Sequence, residues 1–277
     1  MTTNPALPAG QGGTEPAAPL WLARGEHELP GDTGWLTPRE AARAAGMRFT
    51  KRRREYLLRR WVGKQAVAAA TGVPTAIPDL ARIEVANHAS GAPYVLLDGK
   101  PAGLDVSLTD RAGWAVCILG PDLTRVACDL EIVESRSRGF VTDFLTDAEQ
   151  DYVAARAAGE AHDVAANLLW SAKESALKVL RTGLRRDTRT VEVIVGEPDP
   201  AVHWGSLTMA TAEGATLSGW WRREGVFLLT IAAACPLPPP EPLAGCAQLS
   251  EARPVHSWVH QPLAPGWPAG PAAAAAG

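Results

Sequence analysis

Apolar and polar positions change period several times along the chain. From Phe49 to Thr71 the apolar residues Tyr56, Leu57, Val62, Val67 and Ala70 fit one face of a long helix, closed by Gly72 and Pro74. Upstream, Thr37-Pro38-Arg39-Glu40 supplies a Thr cap, a first-turn proline and a Glu that can reach back to the cap, so a helix starts there. The period falls to two in Trp114–Leu119 and Thr124–Glu131, which flank the turn Gly120-Pro121-Asp122 and predict a strand–turn–strand pair. Helical spacing returns over Phe140–Arg156 and Asp163–Arg181. The second of these has Leu169, Ala172, Ala176 and Leu180 as its core stripe and Gly183 as its stop. Four short runs, Val191–Val195, Leu207–Thr211, Leu217–Trp221 and Val226–Ala232, then read as an antiparallel meander. This order defines an α+β protein. No internal sequence repeat is evident.

Composition narrows the folded part. Of 23 prolines, 14 lie in the first 20 or the last 42 of the 277 residues, so 1–20 and a Pro/Ala-rich 236–277 are expected to be disordered tails. No apolar stretch approaches the roughly 20 residues of a membrane span, and the start, MTTNPALPAG, lacks the basic and apolar regions of a secretory signal. Cys117, Cys128, Cys235 and Cys246 show no CxxC spacing and fit reduced thiols in a cytoplasmic protein.

Charge matters through its distribution. The formal charge of −3 sums 27 basic and 30 acidic residues, yet the helix from Phe49 concentrates Lys51, Arg52, Arg53, Arg54, Arg59, Arg60 and Lys64 against Glu55 alone. That excess suits either a solvated face or a multiply charged anion. Nucleic acid is disfavoured, because the helix carries its aromatics on the face expected to be buried and the whole chain is acidic. Within Thr124–Glu131, alternation sends Val126, Cys128 and Leu130 to one face and Asp129 and Glu131 to the other. Trp170, Glu174 and Lys178 fall at i, i+4 and i+8 beside the core stripe of their helix. Two readings remain open for these acids. Glu174 and Lys178 have the spacing of an ordinary helix ion pair, and Asp129 and Glu131 that of a solvated strand face. If instead the three carboxylates converge, each pair at ~4 Å repels by ~4 kcal/mol at an effective dielectric of 20. The site then requires a cation, and hard oxygen ligands favour Mg²⁺.

Taken together, the segments resemble the 4′-phosphopantetheinyl transferase superfamily, in its larger, two-lobed monomeric type that activates polyketide and nonribosomal peptide synthetases. The resemblance rests on Gly99-Lys100-Pro101, Asp105-Val106-Ser107-Leu108-Thr109, Cys128-Asp129-Leu130-Glu131 and Trp170-Ser171-Ala172-Lys173-Glu174-Ser175-Ala176-Leu177-Lys178. It is supported by Arg181-Thr182-Gly183-Leu184 and Phe144–Glu149. It implies two similar α+β lobes related by a pseudo-twofold axis, an N-terminal lobe over 21–112 and a C-terminal lobe with the metal site over 113–235. It also implies transfer of the 4′-phosphopantetheine of coenzyme A to a serine of an apo acyl or peptidyl carrier protein, with release of adenosine 3′,5′-bisphosphate. By the same resemblance Asp129, Glu131 and Glu174 are the Mg²⁺ ligands, Glu174 is the candidate base, and Lys178 assists the leaving group. Coenzyme A would contact Arg54, Arg60, Lys64, Lys100, Ser107 and Thr109. Lys173 is read as a surface or carrier-facing residue and Trp170 as lobe packing. None of the six histidines is given a role.

One departure leaves an alternative open. Where the family commonly has His after the Ser, this chain has Leu108, and Asp105 stands where Asn is usual. Leucine cannot donate to phosphate. Either other donors serve, such as Arg111 or the N-lobe arginines, or the chain is a catalytically impaired member that binds a carrier protein or coenzyme A as a regulator.

Overall fold

The computed structural model describes residues 17–264. Leu20–Gly25 (β1), Trp114–Pro121 (β6) and Leu104–Arg111 (β5) form an antiparallel sheet in the order β1-β6-β5. Next to it lies a smaller sheet of Ile83–Asn87 (β2), Pro93–Leu97 (β3) and Lys100–Pro101 (β4). Pro38–Ala45 (α1), Thr50–Thr71 (α2) and Ile77–Leu80 (α3) complete this first lobe. α1 starts in the expected capping box: Thr37 Oγ1 accepts from the Glu40 amide and Glu40 accepts from the Thr37 amide. α2 stops at Gly72, whose φ of 73° is the left-handed conformation that glycine adopts without steric penalty. Tyr56, Leu58, Val62, Ala66 and Val67 of α2 bury against Leu22, Ala115, Cys117 and Leu119.

The second lobe repeats this plan. Ala127–Ile132 (β7), Phe227–Ala233 (β11), Thr216–Glu224 (β10), Gly205–Thr211 (β9) and Val191–Pro198 (β8) form one sheet in that order. Arg138–Phe144 (α4) and Asp147–Ala154 (α5) precede the long helix Glu160–Val179 (α6), which lies across β7 and β11. The helical segment expected over Phe140–Arg156 is two helices, because Thr146 starts a new capping box with Glu149. The faces of the two sheets turned away from α2 and α6 pack on each other. Trp21, Val116 and Ile118 meet Cys128, Leu130, Leu229 and Ile231 in a core shared by the lobes.

The repeat, not evident by eye in the sequence, is plain in side-chain chemistry. Thr37, Glu40 and Lys64 recur at one constant offset as Thr146, Glu149 and Lys173. In each lobe the lysine is fully buried and pairs with the capping-box glutamate, at 2.6 Å and 2.8 Å. Its other hydrogens go to backbone carbonyls, those of Trp35 and Leu80 or of Thr188 and Val191. The second glutamate oxygen accepts an amide from the neighbouring strand, Val85 or Val193. Burial alone would drive the ammonium pKa down, so these hydrogen bonds and the carboxylate are what make a charged lysine tolerable there.

Three expectations are corrected. A boundary at residue 113 cuts the first sheet, because β6 pairs with β1 and β5; the lobes divide after Pro121. The strand pair flanking Gly120-Pro121-Asp122 is therefore no hairpin, since β7 pairs with β11. The segment from 236 is not wholly a disordered tail: through residue 264 it wraps both lobes. Glu241–Pro242 (β12) adds to β1 in parallel, the carbonyls of Leu237 and Pro240 accept from Trp220 and Trp204, and Leu249 is buried. Residues 1–16 and 265–277 of the expected tails lie outside the described residues.

Candidate active site

β7 is the edge strand of its sheet, and an edge leaves amide groups to satisfy. Here the amides of Cys128 and Leu130 donate to Ser107 Oγ and Thr109 Oγ1 of β5, both at 3.2 Å. Two hydroxyls of the first lobe thus finish the edge of the second and fix β7 beside a cleft of about 920 Å³ between the lobes.

Alternation along β7 sends Cys128 and Leu130 into the shared core and Asp129 and Glu131 towards α6. From α6, Trp170, Glu174 and Lys178 line the same cleft. Asp129 Oδ1 accepts from Lys178 Nζ at 2.8 Å and from Thr109 Oγ1 at 3.3 Å, and Oδ2 from Ser171 at 2.9 Å. Glu131 Oε1 accepts from Trp170 Nε1 at 3.1 Å, and Oε2 meets Arg111 Nε at 3.2 Å and Arg136 Nη2 at 3.3 Å. Burial first, then the neighbouring charge of Asp129, pushes the Glu174 carboxyl up to about 7, with Glu131 and a hydrogen bond to Asp129 acting in the same direction. The Glu131 carboxyl is raised for like reasons, burial and then Asp129. Burial would lower the Lys178 pKa, but Asp129, Cys128 and Glu174 hold it above its usual range. The three carboxylates thus line one cleft, and Lys178 pairs with Asp129 of β7 instead of forming the helix ion pair with Glu174 that its spacing allowed.

Among the described residues, no group of three or more His, Cys, Asp or Glu side chains stands in metal-ligating geometry. The Asp129 and Glu131 oxygens are turned to protein donors. The donor set nonetheless suits a hard divalent cation: three carboxylates, mutually repelling, on one open polar cleft. Asp129, Glu131 and Glu174 are the residues that would hold it.

The first lobe faces these acids with the cations Arg43, Arg59 and Arg60. His88 and Tyr56 line the cleft beside them, and the Arg60 guanidinium lies over the Tyr56 ring at 4.6 Å. Arg59 pairs with Asp110 on the cleft wall, and Arg60 donates to Asn87 at 2.8 Å. Leu108 sits where Gly63 of α2 leaves space, with a hypothetical Gly63 Cβ only 3.2 Å from its Cδ2. It also lines the cleft and an adjoining pocket of about 260 Å³.

The sequence-predicted residues thus divide. Asp129, Glu131, Glu174, Lys178, Arg60 and Thr109 line the cleft, and Ser107 lines the adjoining pocket. Lys64 does not reach either: it is sealed in the first-lobe core on Glu40. Lys173, read as a surface residue, is its buried counterpart. Arg54 lines neither cavity, and Lys100 is exposed on β4, where Gly91, Ala92 and Pro93 instead border the pocket. That second Gly-x-Pro was visible in the sequence. Arg43 and Arg136 were missed, and Arg59 was read only as part of the basic helix face; Arg136 follows Glu131 by five residues, and the signal available was only its charge.

The fold and site define an α+β protein of two like lobes around a charged cleft. Residues 122–213 match the family model described as the 4′-phosphopantetheinyl transferase superfamily. The match covers residues 122–213 alone and includes Asp129, Glu131, Glu174 and Lys178; in this segment the chain is similar to that superfamily, one of transferases. No curated protein matches the chain. No helix among the described residues is long and apolar enough to cross a membrane.

Proposed function

We propose that the protein transfers the 4′-phosphopantetheine of coenzyme A to the serine of an apo acyl or peptidyl carrier protein, releasing adenosine 3′,5′-bisphosphate. The observation that carries the reading is the convergence of Asp129, Glu131, Glu174 and Lys178 on the cleft between the lobes, within the segment that matches the superfamily. The cleft brings six cationic side chains, Arg43, Arg59, Arg60, Arg111, Arg136 and Lys178, against four carboxylates, Asp110, Asp129, Glu131 and Glu174. Such a surplus favours a polyanion the size of coenzyme A.

Each residue then has a task. Arg43, Arg59 and Arg60 grip the 3′-phosphate end by charge-assisted hydrogen bonds. Mg²⁺, when held by Asp129, Glu131 and Glu174, supplies Lewis-acid stabilisation of the diphosphate. Lys178, kept protonated by Asp129, donates to the oxygen that leaves with the bisphosphate. Glu174 accepts the proton of the carrier serine, directly or through a water. Leu108 offers no donor, and Arg111, three positions along β5, takes the place of the missing imidazole at the cleft wall. Both walls come from one chain, which supports a monomeric enzyme.

The alternative of an impaired relative rests on Leu108 and Asp105, whereas the chain retains Asp129, Glu131, Glu174 and Lys178, which supports the active reading. The test is to incubate the protein with coenzyme A, Mg²⁺ and a panel of apo carrier proteins and to follow released adenosine 3′,5′-bisphosphate by chromatography. Release that depends on both the carrier and its serine supports the reading. Absence of release across acyl and peptidyl carriers, at stoichiometric protein, overturns it.

A further inference from the structure

Near β7 the acids already have protein counter-ions. Asp129, Glu131, Glu174 and the adjoining Glu134 face Lys178, Arg111 and Arg136, four acids against three cations. The two guanidinium groups share one oxygen of Glu131, and both also reach Glu134 Oε1, at 2.8 Å and 3.1 Å. They differ in how they are held. Arg136 is pinned from behind: its Nε donates to the fully buried Asn167 at 2.7 Å, and Phe140 lies under it at 4.8 Å. Asn167 is itself fixed by donating to the carbonyls of Glu134 and Asp163. Arg111 has only the two glutamates and is 36% exposed at the cleft wall.

A divalent cation that approaches Glu131 must therefore compete with two guanidinium groups, and it adds two positive charges to a region whose acids exceed its cations by one only. A diphosphate reverses both conditions. It brings negative charge, and its oxygens match the planar fork of an arginine better than a single shared carboxylate oxygen does. We propose that Arg111 is an exchangeable counter-ion, which leaves Glu131 for the diphosphate of the nucleotide substrate and so links divalent-cation binding to substrate binding, while Arg136 stays to hold Glu131 in place. This rests on the reading of Asp129, Glu131 and Glu174 as the cation-binding acids. Linkage requires that the coupling be mutual: the substrate tightens the cation by the factor that the cation tightens the substrate.

The experiment is a calorimetric titration of Mn²⁺ into the full chain, with and without saturating coenzyme A and with no carrier protein, corrected for Mn²⁺ bound by free coenzyme A. For the wild type, coenzyme A should raise Mn²⁺ affinity at least about tenfold. Arg111→Gln should bind Mn²⁺ alone several-fold more tightly than the wild type, and its enhancement by coenzyme A should shrink to less than about threefold. Arg111→Lys, which keeps the charge but loses the fork, should keep weak binding of Mn²⁺ alone and recover part of the enhancement. An unchanged Mn²⁺ affinity on adding coenzyme A overturns the proposal. So does weaker binding of Mn²⁺ alone by Arg111→Gln, which would make Arg111 a support for Glu131 and not its competitor. The two readings fail differently: coenzyme A that binds neither with nor without Mn²⁺ removes the transferase, whereas normal carrier modification without coupled Mn²⁺ affinity removes only the exchange.

Discussion

The two lobes share a scaffold but not a site. Gln65 follows Lys64 as Glu174 follows Lys173, and Leu22 and Arg24 alternate with the core-facing Trp21 and Ala23 on β1 as Asp129 and Glu131 alternate with Cys128 and Leu130 on β7. In the first lobe Arg24 donates to Gln65 and to the carbonyl of Gly245 and pairs with Glu28 at 3.2 Å, so the position is closed by the C-terminal wrap. In the second lobe the same positions hold three acids that repel one another and open onto the cleft. The buried Lys–Glu pair occurs in both lobes and therefore marks the fold. The acids occur in one, and to them we assign the chemistry. On this reading a structural strand–helix pair and a reactive one differ in the side chains they present, on a shared plan of strands and helix.

The sharpest break of this comparison is functional. Asp129→Ala and Glu174→Ala should each lower carrier modification by roughly 10⁴-fold, a loss typical of groups that act as a unit, while Gln65→Ala should stay within about twofold. Initial rates with one carrier protein check all three, and comparable losses for Gln65→Ala would mean that the first lobe also carries chemistry.

A second contrast concerns stability and should show none between the lobes. Lys173→Met leaves the buried Glu149 without its cation, and Lys64→Met leaves Glu40 with only the more distant Arg60 Nε at 3.8 Å; each should cost about 3–5 kcal/mol. Denaturant titration measures this, and a negligible loss in either variant would contradict the shared role. If Lys64 were instead a coenzyme A ligand, Lys64→Met would weaken coenzyme A binding while leaving stability intact.

Smaller still is the seam between the lobes. Ser107→Ala and Thr109→Val each strip the acceptor from one β7 amide and should cost about 1–2 kcal/mol, with faster exchange of the Cys128 or Leu130 amide in hydrogen–deuterium exchange. Unchanged exchange would show that the edge is satisfied in another way.

The mildest contrast lies among the thiols. Burial holds the Cys128 thiol up to about 12 and raises that of Cys117 well above its usual value, whereas Cys235 is exposed. A thiolate is the reactive form and must be reached by the reagent, so iodoacetamide should label the exposed Cys235 in the folded protein and leave Cys117 and Cys128 unlabelled until it unfolds. Peptide mapping after iodoacetamide treatment reads this, and labelling of folded Cys128 would contradict the packing of β7.

Much of the second lobe could be read from the chain, because its signals are local. The alternation of β7 and the heptad-like stripe of α6 state which face each acid occupies. The first lobe was harder. Ser107 and Thr109 read as polar positions, and only the other lobe's strand edge explains why both are buried. β1, β2 and β3 went unread among helical and proline signals. Lys64 read as a coenzyme A contact and Lys173 as a surface residue because their partners, Glu40 and Glu149, serve first as capping-box residues, and that second bond is tertiary. The wrap after residue 236 is coil, as its prolines imply. It is ordered because Trp204 and Trp220 donate to its carbonyls, a role for proline-rich chain that composition does not reveal.

The central claim is that the acids of the second lobe, and not their counterparts in the first, perform phosphopantetheine transfer. Intact mass spectrometry of one apo carrier protein after incubation with coenzyme A, Mg²⁺ and wild type, Asp129→Ala or Gln65→Ala tests it directly. The account predicts a gain of one phosphopantetheinyl group with wild type and Gln65→Ala and none with Asp129→Ala. An equal gain with all three would contradict it, as would no gain with wild type on any acyl or peptidyl carrier.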